Sequence, residues 1–137
     1  MTRRLLVLLL VAVPMLLAPV AASAIDAPEH KAFELVNASR GRDGLSDVSI
    51  QARLMRYAEH HARIMARKKR LFHSPLSLDG YSALGECVGY GGSVLEVHKA
   101  FMRSPDHRDI ILGRWKWVGI GVASRNGTRY VTEVFAR

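Results

Sequence analysis

With 137 residues, 20 Lys and Arg against 12 Asp and Glu, and a formal charge of +8, the chain has room for one hydrophobic core and not for two ordinary domains. Its only cysteine, Cys87, rules out an internal disulfide, so the fold must hold by packing or gain stability from a ligand or partner. The positive charge suits anionic neighbours such as wall polymers or lipid headgroups. No aromatic interleaving and no recognition motif accompanies it, which argues against nucleic acid.

The first 24 residues, MTRRLLVLLLVAVPMLLAPVAASA, read as a secretory signal peptide: Arg3 and Arg4, an apolar stretch from Leu5 to Leu17, and a small-residue exit at Ala22, Ser23 and Ala24. As a membrane anchor the run is short, and Pro14 interrupts it. The expected mature protein is residues 25–137, exported to the extracellular space or periplasm, with no membrane span of its own. Without Arg3 and Arg4 it keeps 18 basic against 12 acidic residues, a formal +6.

Ala32, Phe33, Leu35 and Val36 predict a short amphipathic helix from Pro28 to about Ser39, broken by Gly41 and Gly44. A longer helix is expected from about Val48 to Lys69, because Ile50, Leu54, Ala58, His61 and Met65 recur at helical spacing opposite a charged face. Ser46 or Asp47 would cap it. His61 lies on the apolar stripe and is expected to be a packed, hydrogen-bonded core residue. Arg67, Lys68, Lys69 and Arg70 fit the solvated C-terminal end, where cations complement the helix dipole.

The pattern then stops for a long connection, LFHSPLSLDGYSALGECVGYGGS, whose aromatic and aliphatic residues predict that it is ordered. GECVGY within it can form a strand. GYGGS lacks the lysine and spacing of a phosphate-binding loop. Ser93 and Glu96 form a capping box for a helix with Val94, Leu95, Val97, Ala100 and Phe101 on its apolar face, ending near Ser104 because Pro105 follows. Ser104 and Pro105 can start a second short helix through DHRDIIL. WKWVGIGVAS and TRYVTEVFAR are β-rich runs joined through Asn126-Gly127, a strong hairpin signal. Helices first and a hairpin last predict an α+β fold, with helices covering an antiparallel sheet.

Of the six histidines, His30, His60 and His98 are expected on exposed helix faces. His73 and His107 stand at irregular junctions, where scaffolds tend to hold reactive groups. Glu86 joins them in the glycine-flanked LGEC. Two imidazoles and a carboxylate can hold a divalent metal with an open position, work as general acid and base, or pair with each other and secure the loop. No HExxH and no G-x-S-x-G occurs. Ser74, adjacent to His73, does not make a triad with it. Cys87 is either a buried small residue, the expected state, or a thiol nucleophile with one of these histidines as base.

Seven stretches occur in a telling order: NASRGRDGL (37–45), AEHHARIMA (58–66), FHS (72–74), GEC (85–87), FMRSPDHRDIIL (101–112), VGIGVA (118–123) and YVTEVF (130–135). Together they resemble the CAP superfamily of cysteine-rich secretory, antigen 5 and pathogenesis-related 1 proteins, in its bacterial SCP-like branch. The resemblance implies an α-β-α sandwich, with a mostly antiparallel sheet between helical layers. It also implies a cleft lined by two histidines and acidic residues, which in some members binds zinc or another divalent cation. Carried over, it assigns His73 and His107 as metal ligands and Glu86 as the cleft acid. The chain departs from the family pattern at Ser104, where many eukaryotic members have a second cleft glutamate. It departs also at Cys87, in place of an asparagine, and at Phe101, where tryptophan is common, and it lacks the eukaryotic disulfides. The expected function is a secreted binding module for a lipid, a cell-wall component or a protein partner; the alternative is a metal-dependent, peptidase-like hydrolase with Glu86 as general base.

Overall fold

The computed structural model describes residues 27–137, so the expected signal peptide, residues 1–24, lies outside the described residues. The elements run α1 (Ala27–Arg42), β1 (Ser49–Ile50), α2 (Ala52–Lys68), β2 (Leu84–Gly91), α3 (Val94–Arg103), α4 (Pro105–Ile111), β3 (Trp117–Arg125) and β4 (Thr128–Ala136). The sheet order is β1-β3-β4-β2. The β3–β4 and β2–β4 pairs are antiparallel, whereas β1 pairs with β3 in parallel, so the sheet is mostly antiparallel but mixed. No helix among the described residues is long and apolar enough to cross a membrane.

The β3–β4 turn forms as expected: Asn126 and Gly127 both take positive φ, 50° and 77°, as a two-residue hairpin turn of primed type requires. Helix α2 starts later than its apolar periodicity predicts. Residues 49 and 50 are extended, with the Ser49 and Gln51 amides donating to the Lys116 and Val118 carbonyls. Gln51, not Ser46 or Asp47, is the cap, its Oε1 accepting from the Leu54 amide at 2.9 Å. Helix α1 runs past Gly41 to Arg42, three residues beyond the expected end.

Helix α2 forms one layer, while α1, α3 and α4 form the other. Alternation along the strands divides the core accordingly. Val88, Tyr130, Val134 and Ala136 pack with Leu54, Ala58, Met65 and Ala66 of α2. Cys87, Val131 and Phe135 pack toward Ala32, Val36, Val97, Phe101 and Ile111. The glycines of VGIGVA explain how closely α2 sits. A Cβ on Gly119 would lie 2.0 Å from the Leu54 carbonyl carbon, and one on Gly121 2.3 Å from that of Ala58. Beyond the short β1, the free edge of β3 is covered: the Val122 amide donates to Glu29 Oε1 at 2.9 Å, and the Ile120 amide to Met55 Sδ at 3.1 Å.

His98 overturns an expectation. It is 4 % exposed, because α3 packs along Val94, Val97, His98 and Phe101, leaving Leu95 and Ala100 outward. Its Nε2 meets Ser39 Oγ on α1 at 2.8 Å, and burial, followed by the Arg42 charge, pushes its pKa down to about 4. His30 and His60 are exposed as expected.

Candidate functional site

Strand β2 is an edge of the sheet. Residues 70–83 return along the α2 side and α4 lies on the other, so His73 and His107 flank this edge. The return segment is ordered: Leu76, Leu78 and Tyr81 pack against the α2 core, and Tyr81 meets the Trp117 ring edge-on. His61 behaves as its sequence position predicts. It is buried, bonds the Phe72 carbonyl through Nε2 at 2.7 Å, and packs edge-on against the Phe72 ring, fixing the backbone one residue before His73.

Glu86 points from β2 toward the α2 side. Its side chain is 2 % exposed and is satisfied from one short stretch. Oε1 accepts from His73 Nδ1 at 2.8 Å and from the Ser74 amide at 2.9 Å, while Oε2 accepts from Ser74 Oγ at 2.5 Å. Tyr57 OH donates to Ser74 Oγ at 2.9 Å, which ties the same hydroxyl to α2. A carboxylate that only accepts fixes the His73 tautomer: hydrogen on Nδ1, lone pair on Nε2. The His73 side chain is 62 % exposed, and no bond to its Nε2 occurs among the described residues.

His107 is held in the same manner by different residues. Its Nδ1 meets Ser104 Oγ at 2.8 Å, and its ring stacks on Phe101 with centroids 5.0 Å apart. Ser104 does not cap α4 through its side chain, contrary to expectation; its hydroxyl holds the imidazole one turn on. Ser104 and Phe101, two of the departures from the family pattern, are therefore the residues that set the His107 ring. Arg40, buried in α1, donates to the Ile111 and Gly113 carbonyls at 2.8 Å each and anchors the far end of α4. Arg108 reaches Asp43 at 3.3 Å.

Burial lowers the pKa of His107, the His73 charge lowers it further, and Asp106 opposes both. The two rings thus feel one another. Among the described residues, no hydrogen bond or ion pair joins His107 to His73 or Glu86, and no three His, Cys, Asp or Glu side chains form a group able to hold a metal ion. The structure brings Glu86 to His73 and orients His107 separately. Cys87 is fully buried, its Sγ 3.7 Å from the His107 carbonyl, with its pKa raised by burial and then by Glu133 and Glu86. A thiol in that state is no nucleophile at neutral pH.

Sequence reasoning missed Ser74, Tyr57 and Ser104 as site residues. Ser104 had a usable signal, standing three residues before His107 on one helical face. Ser74 had none, since its role depends on a strand that arrives a dozen residues later.

The family model for the cysteine-rich secretory protein family, CAP, matches residues 33–135. No curated protein matches the chain. Among solved structures, an outer surface protein from Borrelia burgdorferi has a TM-score of 0.73 at 13 % identity, over 82 % of this chain and 93 % of that one. An extracellular protein containing a SCP domain from Bacillus anthracis has a TM-score of 0.69 at 19 % identity, over 82 % of this chain but 41 % of that one. NaASP2, crystallised with Zn2+, has a TM-score of 0.60 at 13 % identity, over 81 % of this chain and 80 % of that one. At these identities the likeness is one of fold.

Proposed function

Because the chain belongs to the cysteine-rich secretory protein family, CAP, we propose that it is an exported binding module whose ligand, a lipid, a cell-wall component or a protein partner, is taken at the β2 edge by His73 and His107. One observation carries this: each ring is fixed through Nδ1, by Glu86 or by Ser104, and among the described residues Nε2 of each has no hydrogen-bond partner. Oriented imidazoles with free Nε2 atoms are what a metal or a polar ligand group needs.

Imidazole nitrogen is a donor type that a divalent cation such as zinc takes, and His73 Nε2 and His107 Nε2 are the two atoms that would hold it. Bound there, the cation would act as a Lewis acid and leave its other coordination positions to water or ligand. Glu86 is not among the ligands. With three acceptor sites already used and its side chain buried, it orients His73, and this favours binding over hydrolysis by a Glu86 general base. The His73–Glu86 pair also secures the loop, but that role alone gives no reason for the ring to remain largely exposed.

Calorimetric titration of the purified protein with zinc tests the site. Stoichiometric uptake is expected, lost in both His73→Ala and His107→Ala; uptake that survives in either variant contradicts a shared two-histidine site. The binding role is contradicted if the protein neither copurifies with nor binds lipid, wall polymer or a protein partner at micromolar concentration. It is contradicted also by peptide turnover that disappears with a chelator and with Glu86→Gln.

A further inference from the structure

The sequence places a basic run at the end of α2 that the cleft does not use. In the fold, part of it meets the β3–β4 hairpin. Arg63, Ala66 and Arg67 of α2 and Ala123, Ser124 and Arg125 of β3 line an open cavity of about 230 Å³. Two small side chains, Ala66 and Ala123, and three arginines from two separate elements share this lining. Arg63 and Arg67 lie one helical turn apart on one face.

These cations are poorly compensated. Arg63 has one exposed carboxylate neighbour, Glu59, at 3.8 Å, a pair of little energetic weight. Among the described residues, Arg67 and Arg125 have no carboxylate within ion-pair distance. Arg129 donates to Ser124 Oγ at 3.2 Å, which leaves the serine hydroxyl hydrogen free to donate in turn. Three like charges gathered around a concavity repel one another unless an anion joins them. Guanidinium forks match the oxygen geometry of phosphate and can each give it two parallel hydrogen bonds.

We propose that Arg63, Arg67, Arg125 and Ser124 form a second binding site, for the phosphate group of a phosphate ester. The cavity has room for the phosphate and part of the group esterified to it. The site is separate from the cleft. Glu86 is in register with Val134 of β4, while Ser124 is in register with Arg129, roughly 17 Å along that strand.

Glycerol phosphate titrated into the full protein at low salt, followed by the arginine Nε–Hε resonances, tests the proposal. The signals of Arg63, Arg67 and Arg125 should shift together and saturate, and glycerol alone should not move them. The double variant Arg67→Gln, Arg125→Gln should weaken binding about tenfold or more. That variant should keep the zinc response of the unaltered protein, and His73→Ala should keep the phosphate response, so the two sites fail separately. Shifts no larger than those given by sodium chloride at equal ionic strength, or unchanged binding in the double variant, overturn the proposal. Cosedimentation with phosphatidylglycerol vesicles, lost in the double variant and absent with phosphatidylcholine, assigns the phosphate to a lipid headgroup. Saturable glycerol phosphate binding without cosedimentation assigns it to a soluble ester or polymer.

Discussion

The sheet carries a buried glutamate on each face, and the two are treated in opposite ways. Glu86, on the α2 side, is surrounded by donors: His73, the Ser74 amide and the Ser74 hydroxyl. Glu133, opposite Cys87 on the other side, is 1 % exposed, and its Oε2 has no hydrogen-bond partner among the described residues. Burial pushes its pKa up to about 8, so it is a neutral acid at moderate pH. Burial by itself therefore makes no site. Glu86 can position an exposed imidazole because that ring is one of the donors its oxygens meet, whereas Glu133 only makes stability depend on pH.

The most severe way to break the α2 face is Gly119→Ala. Its methyl would overlap the Leu54 backbone, which cannot yield as a side chain tip does. A loss of more than about 4 kcal/mol is expected, enough to abolish cooperative thermal unfolding by circular dichroism. An alanine variant that unfolds like the original would show that α2 is not seated so closely.

The other face should reveal itself through pH. Between about 4.5 and 8 the folded state holds a proton on Glu133 that the unfolded chain has lost, so this group makes stability fall as pH rises. His98 acts in reverse: between 6.5 and about 4 the unfolded chain takes up a proton that the folded state refuses, so stability falls as pH drops. The two slopes offset each other from about 4.5 to 6.5. Above 6.5 Glu133 acts alone and should cost about 2 kcal/mol by pH 8. Denaturant midpoints across pH check this. Glu133→Gln should remove the loss above 6.5 and expose the acid-side slope of His98; a loss that persists in that variant would assign it elsewhere.

The smallest effect tests how the second ring is held. Ser104→Ala removes one hydrogen bond and should cost about 1 kcal/mol in stability. If Ser104 orients His107, the same change should weaken zinc binding about tenfold. A stability loss with unchanged zinc affinity would reduce Ser104 to a local packing role.

Much of this is legible in the sequence. The hairpin, the capping box at Ser93 and the buried His61 rest on local chemistry, and each was found where local rules put it. Ser93 Oγ does accept from the Glu96 amide, with Glu96 reaching back to the Gly92 amide. What failed to show was set by distant chain. Strand β1 exists because it pairs with a strand some 70 residues later, and helical periodicity cannot see that partner. His98 looked solvated because a polar residue on a short helix usually is, until α1 supplied Ser39. In the candidate site, His73, Glu86 and His107 stand out in the sequence by their junction positions, the glycine-flanked loop and the family resemblance. That Ser74 and Ser104 hold them was not, because hydroxyl partners depend on where the strand and helix come to rest.

The proposed cleft depends on His73 carrying its hydrogen on Nδ1, toward Glu86, with Nε2 left for a ligand. Long-range 1H–15N correlation spectra of the purified protein, recorded where the ring is neutral, read this directly. A protonated Nδ1 and a pyridine-type Nε2 are expected for His73, reverting to the ordinary tautomer mixture in Glu86→Ala. A hydrogen on Nε2 in the unaltered protein would mean that Glu86 does not orient the ring, and the cleft would lose the feature on which its function is argued.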